Sequence, residues 1–465
     1  MKQVVRTRIA PSPTGEDLHI GSVYMALINY VFAQKNRGQF IIRIEDTDRE
    51  RFVENAESRM LASLKWMGIP HAEGPDIGGK FGPYRQSQRL GLYQKYAQEL
   101  IKKGDAYYCF CTPTRLELMR HEQQKKGQPP MYDGFCKLVK SEDAAKRTSA
   151  EKYVIRLNVP DKGETAFNDV IRGRVVFENK LIDDQILLKS DGFPTYHLAV
   201  VVDDHLMQIS HVIRGEEWIS STPKHILLYL AFGWELPTYA HLPLLRNPDK
   251  SKLSKRRNPV WASWYRQEGF LPEAILNYLG TLTWGTASGQ EIFSLKEMIR
   301  DFSLTKIKTT APVFDLTKLS WMNGEYIRKS QNSNLKTQID KLFNNKYPAK
   351  LVKQIIPLAK ERMKKLSEFK HYIKPFADFT AVKLDNEQKE WVPQILSELQ
   401  GTVSWNSESL ETTAKQLVNH NGWLIKNVFM ALRLAVTGEK IGLPLFETME
   451  ILGKAETIKR IELSL

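Results

Sequence analysis

Three cysteines in 465 residues are too few, and odd in number, for a disulfide framework. A chain of this length buries enough core to fold without such staples, across two to four domains. The thiols suit a reducing, cytoplasmic setting. Long apolar runs are also missing: the densest stretch, His225 to Trp234, is about half of what a bilayer span needs. Met1-Lys2-Gln3-Val4-Val5-Arg6 has none of the apolar core of a secretion leader. A soluble protein with no membrane partner is therefore expected. No GxxxxGK[ST] segment occurs, which argues against a P-loop nucleotide site. Internal repeats and low-complexity runs are absent as well.

Positive charge is in excess. Lys and Arg number 67 against 53 Asp and Glu, a net charge of +14. Such a surplus suits a polyanionic partner, because each neutralised phosphate releases a condensed counterion. A merely soluble basic protein has the same balance, so charge bounds the partner without naming it.

Gln3 to Ile9 reads as a strand, Pro11 to Gly15 as a turn, and a helix starts near Gly21 with Val23, Ala26, Leu27, Tyr30 and Val31 on one face. Phe40 to Ile44 reads as a short buried strand, and Glu54 to Met67 and Arg89 to Lys103 as helices. This alternation predicts an α/β fold with a Rossmann-type parallel sheet. The rhythm breaks near Gly104. Alternating segments such as Tyr153 to Leu157 and Val175 to Phe177 predict an α+β insertion, with a hairpin turn at Asp191-Gly192. Ala199 to Val202 reads as a strand and Thr222 to Phe232 as a helix, resuming the α/β pattern. After Asn323 the chain reads as helical and Lys-rich, with lysines at 346, 350, 353, 360, 364, 365, 370 and 374. The expected domains are 1–104 and 193–250 for the two halves of the Rossmann-type domain, 105–192 for the insertion, 251–322 for a polar loop and helical region, and 323–465 for the helical tail.

Two local signals carry chemistry. The first is Ala10-Pro11-Ser12-Pro13-Thr14-Gly15, followed by Leu18-His19-Ile20-Gly21-Ser22, at the first strand–helix junction. A helix N-terminus there offers unpaired N–H groups and partial positive charge to a phosphate. Gly21 lacks the Cβ that would hold an adenine or ribose off the backbone, and His19 can donate a hydrogen bond to a phosphate oxygen. The second is Lys252-Leu253-Ser254-Lys255-Arg256, a lysine loop able to close over a triphosphate as charge builds on departing pyrophosphate. Each alone is common.

Together they resemble the two signatures of the class I aminoacyl-tRNA synthetases. Further blocks narrow the resemblance to the bacterial glutamyl-tRNA synthetases: Phe40-Ile41-Ile42-Arg43-Ile44-Glu45-Asp46-Thr47-Asp48, Gly82-Pro83-Tyr84-Arg85-Gln86-Ser87, Ser190-Asp191-Gly192-Phe193-Pro194-Thr195-Tyr196-His197, Ile213-Arg214-Gly215-Glu216-Glu217-Trp218 and Leu244-Leu245-Arg246-Asn247-Pro248-Asp249-Lys250. The resemblance runs from Arg6 to about Arg328. It implies ATP with Mg²⁺, L-glutamate and tRNA(Glu) as reactants, in a chain working as a monomer in the cytoplasm. It also implies roles. His19 and Lys255 would be catalytic. For glutamate, Arg8 would clamp the side-chain carboxylate, Arg214 would serve the same pocket, Glu45 with Ala10 and Ser12 would receive the ammonium, and Tyr196 would add a hydroxyl contact. His19, Gly21, Glu217, Trp218, Leu245, Lys252 and Lys255 would hold ATP. The insertion would bind the acceptor end of the tRNA, 251–322 its stem, and the tail its anticodon, with Lys360 and Arg362 as candidate readers. Glutamate needs cations for two carboxylates and an anion for its ammonium, and a guanidinium fork grips a carboxylate as Lys cannot.

Cys109, Cys111, Tyr132 and Cys136 are similar to the zinc module of some of these enzymes, with Tyr132 as fourth ligand and Leu138 where some relatives carry His. Three unrelated buried thiols are the alternative. Val200 stands where relatives often carry an Asn touching the substrate. A glutamyl-queuosine tRNA synthetase would resemble only the front half, and a glutaminyl-tRNA synthetase would end in β-barrels. A catalytically silent tRNA-binding paralogue would not need Arg8, His19, Glu45, Arg214 and Lys255 together. Acceptance of tRNA(Gln) beside tRNA(Glu) stays open.

Overall fold

The computed structural model describes residues 4–253 and 259–465, so Lys255 and its neighbours Ser254 and Arg256 lie outside the described residues. The chain divides into two compact units, Met1–Trp264 with Ile275–Asp315, and Tyr265–Ala274 with Leu316–Leu465.

The first unit opens with β1 (Arg6–Ile9), α1 (Ile20–Lys35) and β2 (Gln39–Ile42). β1 and β2 pair in parallel, from Arg6 opposite Gln39 to Ile9 opposite Ile42, with α1 as the crossover. All four β1 residues are buried, including two arginines, so this short strand shows no polar face. Helices α2 (Ala56–Trp66) and α3 (Leu90–Lys103) follow, the latter ended by Gly104 at φ +79°. Then come β3 (Ala106–Cys109), α4 (Pro113–Lys125), α5 (Ser141–Arg147), β4 (Val154–Leu157), the hairpin β5 (Glu164–Asp169) with β6 (Gly173–Glu178), and β7 (Ile186–Leu188). β3, β4 and β7 form a separate antiparallel sheet.

The β5–β6 hairpin lies in the segment read as insertion, yet it joins the other main sheet. β5 pairs in parallel with β9 (Thr238–Leu242), which pairs in parallel with β8 (His211–Gly215). Ser210 links this sheet to β1: its N–H donates to the Arg6 carbonyl, and the Arg6 N–H donates to its hydroxyl (2.8 Å). β1 and β8 thus end side by side, the place where open parallel sheets bind ligands.

One element differs from expectation. Ala199 to Val202 is not a strand but the middle of helix α6 (Tyr196–Leu206). Residues 198–204 are all buried, so no polar stripe marks the helical period, and a β-branched run then looks like a core strand. The turn before it forms as expected: Gly192, at φ +81°, donates its N–H to the Lys189 carbonyl (3.0 Å). Helix α7 spans Thr222–Phe232, as read. β1 begins at Arg6, with Val4 and Val5 outside it, and Gln3 lies outside the described residues.

In the second unit every described element is helical. Residues 352, 355, 356 and 359 recur at helical spacing and bury one face, against Leu335, Ile339 and Phe369. Lys350, Lys353, Lys364, Lys370 and Lys374 are exposed. Among the described residues no helix is long and apolar enough to cross a membrane.

Candidate active site

A cavity of about 710 Å³ opens where β1 and β8 end, lined by Arg8, Ala10, Ser12, Glu45, Tyr196, Val200, Arg214, Gly215, Glu217 and Trp218 among others. Its floor is a buried ionic lattice. Arg8 grips Asp204 of α6 with two nitrogens, Nε to Oδ1 (3.1 Å) and Nη2 to Oδ2 (2.8 Å). Arg43, wholly buried, reaches Asp204 (2.6 Å) and Glu45 (3.2 Å). Arg89 pairs with Asp203 (2.7 Å), which also accepts from the Tyr93 hydroxyl and the Gln86 amide. Burial alone would raise the Asp204 carboxyl, but Arg8 and Arg43 hold it below its ordinary range. Glu45 differs: burial raises its carboxyl to about 7, against the pull of Arg43.

Arg214, the last side chain of β8 before Gly215, is 6% exposed and surrounded by neutral groups. Nε donates to His241 Nε2 (3.1 Å), Nη1 to the Tyr196 hydroxyl (3.1 Å) and His225 Nδ1 (3.3 Å), and Nη2 to Thr222 Oγ1 (2.9 Å). It makes no ion pair among the described residues. Of four buried guanidiniums, Arg8, Arg43 and Arg89 meet Asp203, Asp204 or Glu45 directly, whereas Arg214 touches no carboxylate among the described residues. A buried cation without a counter-ion is costly, and a site that keeps one is built for an anion.

At the first strand–helix junction, His19 caps α1: its Nδ1 accepts the Gly21 N–H (3.0 Å). That leaves the ring proton on Nε2, the donor a phosphate oxygen needs. A Cβ on Gly21 would lie 3.1 Å from His19 Nδ1, so the glycine also keeps this cap in place. Trp218 packs on Tyr196, ring centroids 4.3 Å apart. Leu245 is buried and Lys252 exposed, bridged to Arg246. His19, Gly21, Leu245 and Lys252 do not line the cavity, whereas all six residues read as glutamate-binding do, with Glu217 and Trp218. Sequence reading assigned no role to Asp204, which fixes Arg8, to Arg43, which shares Asp204 with it, or to Thr222, His225 and His241, which fix Arg214. Asp203-Asp204 inside an apolar run was the available signal, since acids are rarely buried unpaired.

Away from the cavity, the sulfur atoms of Cys109, Cys111 and Cys136 lie within 4.8 Å of one another. The Tyr132 hydroxyl is 3.5 Å from Cys109 Sγ and 3.3 Å from Cys111 Sγ, and Cys111 and Cys136 are 3.6 Å apart. Bond lengths of about 2.3 Å to sulfur and 2.0 Å to oxygen give tetrahedral edges of about 3.8 and 3.5 Å, which these three contacts approach. Leu138 is 87% exposed and takes no part. In the second unit, Arg362 is exposed just after the helix Ala349–Ala359, and its charge helps to lower the pKa of partly buried Arg433, after burial itself. Arg433 lines a cavity of about 350 Å³ with Lys426, Phe429 and Leu445.

Residues 4–321 match the family model for class I tRNA synthetases (E and Q), catalytic domain, and residues 326–465 match that of an anticodon binding domain. The chain is 44% identical over 496 residues to a glutamate–tRNA ligase of Fusobacterium nucleatum, covering 99% of this chain and 97% of the relative. It is 44% identical over 468 residues to that of Acinetobacter baumannii, covering 98% and 92%. Among solved structures it is similar to a glutamate tRNA ligase from Elizabethkingia meningosepticum in complex with its amino acid, at 36% identity and a TM-score of 0.88, covering 98% of each chain.

Proposed function

The chain belongs to the class I tRNA synthetases of the glutamate and glutamine group and is a glutamate–tRNA ligase, and from that premise we propose how its residues divide the work. The observation that carries the proposal is Arg214, a buried cation in a substrate-sized cavity with only neutral partners. It, rather than Arg8 as the sequence suggests, takes the side-chain carboxylate of L-glutamate, with Tyr196 adding a hydroxyl contact. Arg8, with two nitrogens committed to Asp204, offers Nη1 to the substrate. Glu45 receives the ammonium, beside Ala10 and Ser12. Val200 makes this wall apolar where an amide would have added a polar contact.

The α-carboxylate of glutamate then attacks the α-phosphorus of ATP, giving glutamyl-adenylate and pyrophosphate. The terminal ribose 2′-hydroxyl of the tRNA attacks the mixed anhydride and releases AMP. His19 donates from Nε2 to a phosphate oxygen, Glu217 and Trp218 flank the nucleotide, and Lys252 and Lys255 meet the charge of the departing pyrophosphate. Mg²⁺ accompanies ATP and offsets phosphate charge. No protein base is required, because the gain comes from positioning and electrostatics. Charging assays with purified tRNA(Glu) test the reading. Glutamate transfer is expected, and none would overturn it. The same assay with tRNA(Gln) measures the breadth of tRNA choice, which we assign to Arg362, Lys360 and the neighbouring Arg433. The reducing cytoplasm is its place of work.

Glu45 gives the reaction a pH signature. Its carboxyl titrates at about 7 in the empty site, and only the charged form attracts the ammonium. As pH falls through 7 the charge is lost, so KM for glutamate is expected to rise, approaching about tenfold per pH unit on the acid side. KM for ATP should stay flat. A glutamate KM constant between pH 5.5 and 7.5 would remove Glu45 from this role.

The donor set of Cys109, Cys111, Cys136 and Tyr132 supports one structural Zn²⁺, held in the part of the chain expected to meet the acceptor end. Metal analysis should give about one zinc per chain. Tyr132→Phe should weaken its retention against a chelator by at least about tenfold. Zinc-free protein from zinc-replete cells would refute the site.

A further inference from the structure

Arg8 and Arg214 enter one cavity from adjacent strands, yet the fold dresses them oppositely. Arg8 faces the carboxylate of Asp204 directly. Arg214 reaches a carboxylate only at second hand. Its Nε ends on His241 Nε2 (3.1 Å), and His241 Nδ1 ends on Asp169 Oδ2 (2.6 Å), with both the His241 and Asp169 side chains fully buried. The three residues sit on three adjacent strands, β8, β9 and β5, and Arg214 and His241 are register partners. We infer that His241, held by Asp169, is a positioning residue that aims Arg214 without neutralising it, and that this neutral mounting is what separates glutamate from glutamine.

The hydrogen-bond directions require it. Asp169 is already fixed as an acceptor, taking the N–H groups of Ile171 (2.9 Å) and Arg172 (3.0 Å) on Oδ1 and of His241 (3.0 Å) on Oδ2. His241 must therefore present Nδ1–H to Asp169, which leaves Nε2 as an acceptor for Arg214. Thr222 works alike: its hydroxyl proton goes to the Trp218 carbonyl (2.9 Å), so its lone pair faces Arg214. His225 accepts through Nδ1, and its Nε2 meets His197 Nδ1 (3.1 Å). Burial holds His225 and His197 below their ordinary pKa, so neither adds charge. A carboxylate in the place of His241 would satisfy the same donor and cancel the charge. With Arg214 uncompensated, a substrate carboxylate completes a pair that a carboxamide leaves open.

This inference rests on the reading of Arg214 as the carboxylate-binding group, and the experiment separates the two. Charging kinetics are measured on the full chain for His241→Leu, His241→Gln, His241→Glu and Arg214→Gln, with unfolding midpoints beside them. His241→Leu should raise KM for glutamate at least about tenfold and leave KM for ATP within about twofold. His241→Gln, whose amide accepts from Arg214 and donates to Asp169, should stay within about threefold of the parent. His241→Glu should lower the preference for glutamate over glutamine at least about tenfold. If His241→Leu does not fold, the contrast of the Gln and Glu variants decides. An unchanged glutamate KM in Arg214→Gln would overturn the reading of the site. A raised KM there, with the His241 variants unaffected or with both KM values rising together, would overturn only the role of His241.

Discussion

Replacing Arg214 with alanine is expected to lower kcat/KM for glutamate by about a thousandfold, or roughly 4 kcal/mol. Hydrogen bonds to a charged partner are each worth about 1.5–3 kcal/mol, and the guanidinium offers a carboxylate both fork geometry and a full charge. The cavity would also keep lone pairs on His241, His225 and Thr222 that point where the fork had been. Because the side-chain carboxylate is remote from the reacting atoms, most of the loss should fall on KM. Lysine should not restore activity, since one ammonium cannot reach His241, Tyr196 and Thr222 together. Steady-state charging measures this, and a loss under tenfold would sink the assignment.

Asp204→Ala should damage the fold more than any other single change near the cavity. It strips buried Arg8 of its carboxylate partner and buried Arg43 of its shortest one, leaving Arg43 only Glu45 and Asp203. Breaking a buried pair by removing one partner costs about 3–5 kcal/mol. The unfolding midpoint of the catalytic unit should fall by roughly 10 °C. The pH dependence follows the same pair. Asp204 is held below its ordinary range, so its contribution is complete above the unfolded carboxylate value and fades as acid protonates it in the folded state. A midpoint unchanged in Asp204→Ala would mean that the lattice relaxes or admits water, and that Arg8 is not fixed by it.

The reach of the sequence follows from distance along the chain. His19, Gly21 and the Pro-Ser-Pro-Thr-Gly turn were readable because strand, turn and helix cap are contiguous. Arg8, Glu45 and Arg214 were named through resemblance, but what each does depends on partners far away. Asp204 lies 196 residues from Arg8, and Asp169 lies 72 from His241. No local pattern says that one arginine is neutralised and the other is not. The misread run at Ala199 to Val202 has the same origin, because α6 is buried by elements that its own sequence does not contain. The β5–β6 hairpin alternates like an insertion strand, and only pairing with β9 shows which sheet owns it.

A buried Arg214 with no carboxylate in direct contact has a thermodynamic consequence. Arg214 reaches Asp169 only through His241, and the cost of holding a buried cation that way falls on the stability of the catalytic unit. On the proposed assignment glutamate is more than cargo, since its carboxylate would finish an ion pair that the polypeptide leaves half-built. Substrate saturation and folding stability draw on one free energy, so an amino-acid-starved cell would hold this enzyme in its least stable form.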